Sequence, residues 1–379
     1  MKIPFNKPYI IGKELFYIAQ AVQNGHLAGD GYFSKLCHTF LQDYLNANKI
    51  LLTHSCSSAL EMAAILCDFS PGDEVILPSY TFVSTANAFI LRSGCVPKFV
   101  DIRQDTLNLD ENLIESAITP RTKAIVPVHY AGVSCEMGKI MQIAKKYGLR
   151  VIEDAAQGIN AKYKDQYLGT IGDLGCYSFH ETKNLISGEG GALAVNDANL
   201  YSRAEIIREK GTNRSQFFRG MTDKYTWVDV GSSFLPSELT AAFLYAQLEE
   251  IEKITKKRMA IWNLYRERLF PLEQKGILRT PFIPEYSTHN AHMFYLILDS
   301  LETRTKLISY LKEKEIMAVF HYVPLHSSPA GQRFSGNPNA ELPVTDMISS
   351  CLVRLPFYYS QTEDEVHTVC DCINNFFGA

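Results

Sequence analysis

Between residues 50 and 200 short β-rich runs alternate with helical runs, and small or polar residues gather just after each apolar run. Together these two patterns predict an α/β protein built on a mostly parallel, doubly wound sheet. A third observation, the change of pattern after a long helical stretch at 236–269, predicts a second and smaller α+β unit. A chain of 379 residues suits two domains, on a prior of roughly 100–200 residues each. The division expected is an N-terminal arm with the large domain over 1–250, and the small domain over 251–379. Hydrophobic residues at 46% and charged residues at 21% supply an ample core.

The elements follow in order. An irregular arm leads to helices over 12–24 and 32–46, separated by the turn Gly29-Asp30-Gly31. Ile50–Thr53 reads as a strand running into His54-Ser55-Cys56-Ser57-Ser58 and a helix over 59–67. Glu74–Leu77 is a strand leading to Pro78-Ser79-Tyr80-Thr81-Phe82 and a helix through Leu91. Val96–Val100 is a weaker strand, since Pro97 is tolerated only near a strand start or on an edge. Ala124–Val128 ends in His129-Tyr130-Ala131-Gly132, before a helix over 136–147. Arg150–Glu153 ends in Asp154-Ala155-Ala156-Gln157. The run Leu174–Phe179 passes into Lys183 and the turn Gly188-Glu189-Gly190-Gly191, followed by Ala192–Val195.

Residues 236–269 read as one helix, with Pro236 in its first turn and an apolar stripe through Leu239, Phe243, Ile254, Ile261, Trp262, Tyr265 and Leu269. A helix of that length would bridge the two domains. Strands at 292–298 and 317–323, a helix over 303–315 and a closing helix from Thr362 complete the second unit. Thr362 with Glu365 has the form of a capping box.

Composition removes several classes of function. A net charge of −4 with no Lys/Arg block gives no footprint for nucleic acid. The nine cysteines are scattered without a CxxC pair, and Cys370 and Cys372 fall in an amphipathic helix pattern, so neither a disulfide framework nor a metal site is expected. No run approaches the ~20 apolar residues of a membrane span. A cytoplasmic protein with reduced thiols is the expectation.

Four features sit on the predicted ligand-binding edge. Asp154 ends a strand, and a semi-buried carboxylate there needs a cation or strong donors. Lys183 follows one crossover unit later. The Ser55–Ser58 run opens a helix whose free N–H groups, hydroxyls and dipole form a phosphate cradle. Phe82 offers a flat apolar face. A carboxylate for a ring nitrogen, an amine for an aldehyde, a phosphate cradle and a stacking ring describe a pyridoxal phosphate (PLP) site. Each also has a plain structural reading: Ser57 and Ser58 as helix caps, Phe82 as core, Asp154 as the partner of a structural arginine.

The ordered motifs PSYTFVSTANA, VIEDAAQG, SFHETKN and SGEGGA resemble those of the DegT/StrS-type sugar aminotransferases, PLP enzymes of fold type I, and the likeness runs from IPFNKP at 3–8 to HYVPLH at 321–326. The resemblance implies a large domain with a mostly parallel seven-stranded sheet and a small C-terminal α+β domain. It implies Lys183 as the lysine bonded to the cofactor aldehyde, Asp154 on the pyridine nitrogen and Gln157 on the ring hydroxyl. It also implies Phe82 over the ring face, and Cys56, Ser57 and Ser178 around the phosphate. Many members carry an asparagine that reaches the neighbouring subunit's phosphate, where this chain has Gly231-Ser232-Ser233, leaving Ser233 as the donor there. Dimers with shared sites are implied as well.

Four stretches (Ser55-Cys56-Ser57, GTNRSQFFRG at 211–220, DKYTWVDVGSS at 223–233 and NAHMFY at 290–295) resemble the branch of the family that aminates C4 of TDP-4-oxo-6-deoxyglucose with L-glutamate. Asn213, Arg214, Tyr322 and His326 are candidates for the sugar nucleotide, each with a packing or ion-pairing alternative. His129 and His180 read as satisfied histidines near strand ends. Three rivals stay open. Related sugar dehydratases replace the lysine with histidine, which Lys183 opposes; a non-catalytic regulator would need an appendage the chain lacks; amination at C3, or with the opposite C4 stereochemistry, would use the same core.

Overall fold

The computed structural model describes residues 2–378. Seven strands form the central sheet: β1 (Ile50–Thr53), β2 (Glu74–Pro78), β3 (Val96–Val100), β4 (Thr122–Ile125), β5 (Arg150–Asp154), β6 (Leu174–Ser178) and β7 (Gly191–Val195). Their order is β1-β7-β6-β5-β4-β2-β3. From β3 to β6 neighbours are parallel, whereas β7 is antiparallel to both β6 and β1. A single reversed strand restores the direction of β1, so the ends of β1, β2, β5 and β6 all open on one edge.

The short apolar runs are strands buried on both faces, as a covered parallel sheet demands. Side chains alternate between two cores. Leu51, Ile152, Leu174, Cys176, Leu193 and Val195 pack with helices α3 (Cys56–Leu66) and α4 (Val83–Ser93). Ile50, Leu52, Tyr177, Ala192 and Ala194 face the opposite core, which also takes residues of the two N-terminal helices, α1 (Glu14–Gln23) and α2 (Tyr32–Leu45).

The stretch 236–269 is two helices, Glu238–Leu248 and Ile251–Gln274, broken where Glu250 leaves helical geometry at φ −111 and ψ 15. The reason is a change of partner. Ala241, Ala242, Leu244 and Leu248 pack in the large-sheet core, while Ile261, Trp262, Tyr265 and Leu269 belong to the core of the C-terminal unit. One straight stripe does not serve both. Pro236 lies outside the helix, because Ser237 is the N-cap and accepts from the Thr240 N–H (3.3 Å).

The C-terminal unit has one antiparallel pair, β8 (Tyr295–Ile297) with β9 (Leu352–Arg354), packed under helices Leu301–Glu313 and Glu363–Phe377. The Thr362–Glu365 capping box forms, with bonds of 3.1 and 2.8 Å. The strand predicted at 317–323 is absent. Only Val319 bridges to Arg354, and the chain then turns so that His321 and Tyr322 pack against Tyr80 and Tyr130 at the mouth of the large sheet. Ile3, from the arm, bridges to Ile316 and is buried in the C-terminal core.

Candidate active site

Two helix N-termini meet at the sheet edge. The loop after β1 starts α3, with Ser55 as N-cap accepting from the Ser58 N–H (3.1 Å) and the first-turn amides of Cys56 and Ser57 left without a partner inside the helix. The loop after β2 starts α4 at Val83, with Phe82 as its N-cap residue. Ser57 Oγ donates to Ser84 Oγ across the gap (2.7 Å), tying the two first turns together. Ser178 closes the adjoining strand β6 and is buried. Close approach explains one of the glycines: a Cβ on Gly191 would lie 2.4 Å from the Ser55 carbonyl carbon and 2.5 Å from Cys56 N. Amides at helix starts beside serine hydroxyls form a receptor for a phosphate dianion.

Asp154 is buried at the end of β5, and both its oxygens are engaged. Oδ2 accepts from Thr85 Oγ1 (2.8 Å) and Oδ1 from the Ala156 N–H (3.1 Å). Because the single Thr85 proton goes to the carboxylate, the neighbouring Thr81 hydroxyl (2.9 Å) must donate to Thr85. Gln157 is oriented in the same way. Its Oε1 accepts from the Ala131 N–H (2.7 Å), which turns Nε2 outward to donate to the Tyr322 hydroxyl (3.3 Å). Beside Tyr322, at 6.4 Å between ring centroids, Phe82 stands 58% exposed, an aromatic face with no cover in the chain.

Lys183 lies in a loop pinned from both sides. Phe179 N–H donates to Gly190 O (2.8 Å), Glu181 N–H to Gly188 O (2.9 Å) and Lys183 N–H to His180 O (2.9 Å). Next to it, Asn184 donates to Asn290 O (2.8 Å) and contacts His292 Nδ1 (2.8 Å), which anchors the loop to the C-terminal unit. Among the described residues the ammonium makes no hydrogen bond or ion pair. Its surroundings withhold water, and this desolvation lowers its pKa; Cys56 and Asp154 oppose the shift and Arg354 adds to it. Burial, together with Asp154, keeps the Cys56 thiol well above its ordinary pKa, so it stays protonated and is no rival nucleophile.

The other candidates fall elsewhere. Ser233 is exposed, and its carbonyl lies 3.1 Å from His54 Nε2, beside the first turn of α3 in the same chain. Asn213 accepts from the Thr226 N–H (2.8 Å) and Arg214 pairs with Glu209 (2.5 Å), so both are engaged within their own loop rather than with Lys183 or Asp154. His326 is buried between Ser79 Oγ (2.7 Å) and Asp346 (3.4 Å), a clip joining the end of β2 to the C-terminal unit. His129 is buried against Glu153 (2.9 Å). Thr85, Ser84 and Arg354 are site residues that the sequence reading passed over. The i, i+4 spacing of Thr81 and Thr85 at a helix start was the one signal available for the first.

The arrangement suits PLP on its own chemistry. A desolvated, unpaired amine can condense with an aldehyde, an anchored carboxylate can hold a pyridinium proton, and the paired helix starts can take the phosphate. No group of described residues has the donors to hold a metal ion, and no helix among them is long and apolar enough to cross a membrane.

Comparison with known proteins agrees. The model of the DegT/DnrJ/EryC1/StrS aminotransferase family matches residues 8–374. The spore coat polysaccharide biosynthesis protein SpsC of Bacillus subtilis is 32% identical, covering 98% of this chain and 96% of that protein. The crystal structure of the aminotransferase TlmJ from Streptoalloteichus hindustanus superposes with a TM-score of 0.91 at 25% identity, over 99% of both chains. NtdA of Bacillus subtilis, with bound cofactor PMP, gives 0.88 at 28% identity, over 98% of this chain and 83% of its own. With its lysine, carboxylate and phosphate cradle gathered on one sheet edge, the chain belongs to the DegT/DnrJ/EryC1/StrS aminotransferases and uses pyridoxal phosphate.

Proposed function

We propose that this enzyme transfers the amino group of L-glutamate to the C4 ketone of TDP-4-oxo-6-deoxy-D-glucose, giving TDP-4-amino-4,6-dideoxy-D-galactose and 2-oxoglutarate. The observation that carries the aminotransfer is the Lys183 amine, unpaired and desolvated within electrostatic reach of Asp154. Support for the sugar is the likeness of 211–220, 223–233 and 290–295 to the branch acting on that ketone. Amination at C3, or with the opposite configuration at C4, is the alternative within the same machinery.

PLP, when bound, supplies an electron sink for the carbanion formed at the donor's α-carbon. Asp154, fixed by Thr85 and the Ala156 amide, holds the proton on the ring nitrogen. Burial lowers the Lys183 pKa and so favours its uncharged form, in which the amine would take a proton from the α-carbon and return it on the other side of the transfer. Gln157 Nε2, which faces the Tyr322 hydroxyl, would donate to the ring oxygen, and Phe82 would cover the ring face and exclude water there. In the second half-reaction the same Lys183 delivers the proton at C4 of the sugar, and the face it works from sets the galacto product.

We place Asn213, Arg214 and Tyr322 at the sugar-nucleotide end, and Ser233 at the cofactor phosphate of the second subunit of a homodimer in the cytoplasm, while the buried His326 holds the wall of the site rather than touching the sugar nucleotide. Exposed Phe218 (69%), Met221 (70%) and Trp227 (78%) on the 211–230 loop support a covered face there. Mixing the enzyme with L-glutamate and TDP-4-oxo-6-deoxyglucose and identifying the product by NMR tests the reading. Borohydride should fix the cofactor on Lys183, and a Lys183→Ala variant that still transaminates would refute it.

A further inference from the structure

His129 and Glu153 meet in the core, each 0% exposed. Glu153 precedes Asp154 on β5, so its side chain leaves the opposite face of the sheet. Its Oε1 accepts from the Ile171 and Gly172 amides (2.7 Å each), and its Oε2 from the Gly169 amide (2.8 Å) and from His129 Nε2 (2.9 Å). The other ring nitrogen, His129 Nδ1, takes the Cys135 N–H (3.2 Å), which fixes the tautomer with its proton on Nε2. Both side chains are thereby satisfied, and what they hold between them is a turn.

Tyr130–Gly132 lies between His129 and Cys135, and the bond from the Cys135 amide to the imidazole closes it. Ala131 stands in the left-handed region at φ 58 and ψ 15, a conformation that a residue with a Cβ keeps only where its surroundings impose it. That conformation aims the Ala131 N–H at Gln157 Oε1 (2.7 Å). Among the described residues this amide is the only donor to Gln157 Oε1, so it alone decides which end of the side-chain amide turns outward. The turn is packed hard against its neighbours: a Cβ on Gly132 would fall 1.9 Å from Asn290 Oδ1 and 3.0 Å from the Gln157 carbonyl oxygen. Tyr130 N–H donates to Asn108 Oδ1 (2.8 Å) and Gly132 N–H to His129 O (3.2 Å), which ties down the rest of it.

We propose that His129 is a positioning residue for the cofactor: its Nδ1 clamps the turn over 130–135, and the Ala131 amide of that turn sets Gln157 to donate to the ring hydroxyl oxygen of PLP. The inference rests on the placement of Gln157 in the function proposed above and is independent of which sugar is aminated. Nδ1 carries the effect, because it bridges the two ends of the turn. The Nε2 bond to Glu153 anchors the ring in the core. A general role in packing would act on every cofactor alike, whereas this role acts through a single oxygen of the ring.

The test compares PLP with 3-deoxypyridoxal 5′-phosphate, which lacks that oxygen, in equilibrium titrations of the full-length protein after cofactor removal. His129→Gln keeps a donor for Glu153, since the glutamine amide nitrogen reaches the place of Nε2, and takes away the acceptor for the Cys135 N–H. It should weaken PLP by about fivefold, the worth of one neutral hydrogen bond, and leave the 3-deoxy analogue within about twofold. Gln157→Ala should do the same. His129→Asn puts its carbonyl oxygen near the place of Nδ1, and should retain the wild-type preference for PLP while losing stability in urea. A loss shared equally by both cofactors in His129→Gln overturns the proposal, as does no loss with either. Should the glutamine variant not fold, a His129→Asn protein without the wild-type preference is the refutation. A preference that Gln157→Ala leaves intact would sink the placement of Gln157 at the ring, and this proposal with it. One that Gln157→Ala abolishes and His129→Gln preserves sinks the role of His129 alone.

Discussion

Thr85→Val separates the role of one hydroxyl from that of the space it fills. The side chain is 1% exposed and almost isosteric with valine, so packing changes little. What disappears is the 2.8 Å bond to Asp154 Oδ2, leaving the Ala156 amide as the other donor to that carboxylate and the Thr81 hydroxyl without its acceptor. A hydrogen bond to a charged group contributes about 1.5–3 kcal/mol. The added methyl group returns about 0.8 kcal/mol at most. The net loss expected in the apoenzyme is therefore about 1–2 kcal/mol, read from the urea midpoint at constant m. Thr85→Ser keeps the hydroxyl and should hold the bond, losing about a methyl's worth of burial. In the holoenzyme kcat should fall tenfold to about a hundredfold, because an orienting contact worth an ångström has that effect on rate. A Thr85→Val apoenzyme as stable as wild type, with unchanged kcat, would show that Asp154 is positioned by the β5 backbone alone.

Three further substitutions probe contacts elsewhere in the molecule. Gly191→Ala puts a carbon within 2.5 Å of the Ser55–Cys56 peptide, so the phosphate loop must move, and the variant should lose cofactor on dialysis while retaining its circular dichroism. Glu238 accepts from the Gly31, Phe33 and Ser34 amides (3.0, 2.7 and 3.0 Å) and so caps the helix Tyr32–Leu45; Glu238→Gln should lower stability by about 1.5–3 kcal/mol in urea titrations. His38 has its pKa depressed to about 3, first by burial and then by Arg208, while its Nε2 accepts from the Leu52 N–H (3.0 Å). The unfolded chain, with a histidine pKa of about 6.5, binds a proton the folded chain refuses, so stability should fall as pH drops from 6.5 toward 3, by up to about 1.4 kcal/mol per unit. Replacing His38 with Gln should flatten that slope in urea midpoints taken at pH 7, 6 and 5.

The strands were legible because burial on both faces writes itself as a short apolar run whatever lies beside it. Ile50–Thr53 and Val96–Val100 have the bounds read from sequence, and the central strands end within a few residues of theirs. Choices of partner were not legible. Nothing local to Glu249 and Glu250 says that the apolar stripe before them serves one core and the stripe after them another. The apolar run 317–323 has strand composition, but β8 lies along one edge of β9 and the run meets the other edge at a single residue, Val319, before turning away. The site divides in the same way. Lys183 and Asp154 announce themselves as polar residues at the ends of apolar runs, whereas the hydroxyl that holds Asp154 lies 69 residues away along the chain.

The arm has a consequence for how the molecule can be cut. Ile3, 4% exposed, is clamped between Glu315 O (3.2 Å) and the Met317 amide (3.0 Å), and Phe5 O accepts from the Phe357 N–H (3.1 Å). The C-terminal unit thus wraps a plug supplied by the arm, more than three hundred residues away along the chain (316 − 3 = 313). A fragment that starts at Ile251 would fold around an empty seat and gain solubility when a peptide spanning residues 2–8 is added back. The arm and the C-terminal unit are thus a single joint, and neither half of it is complete without the other.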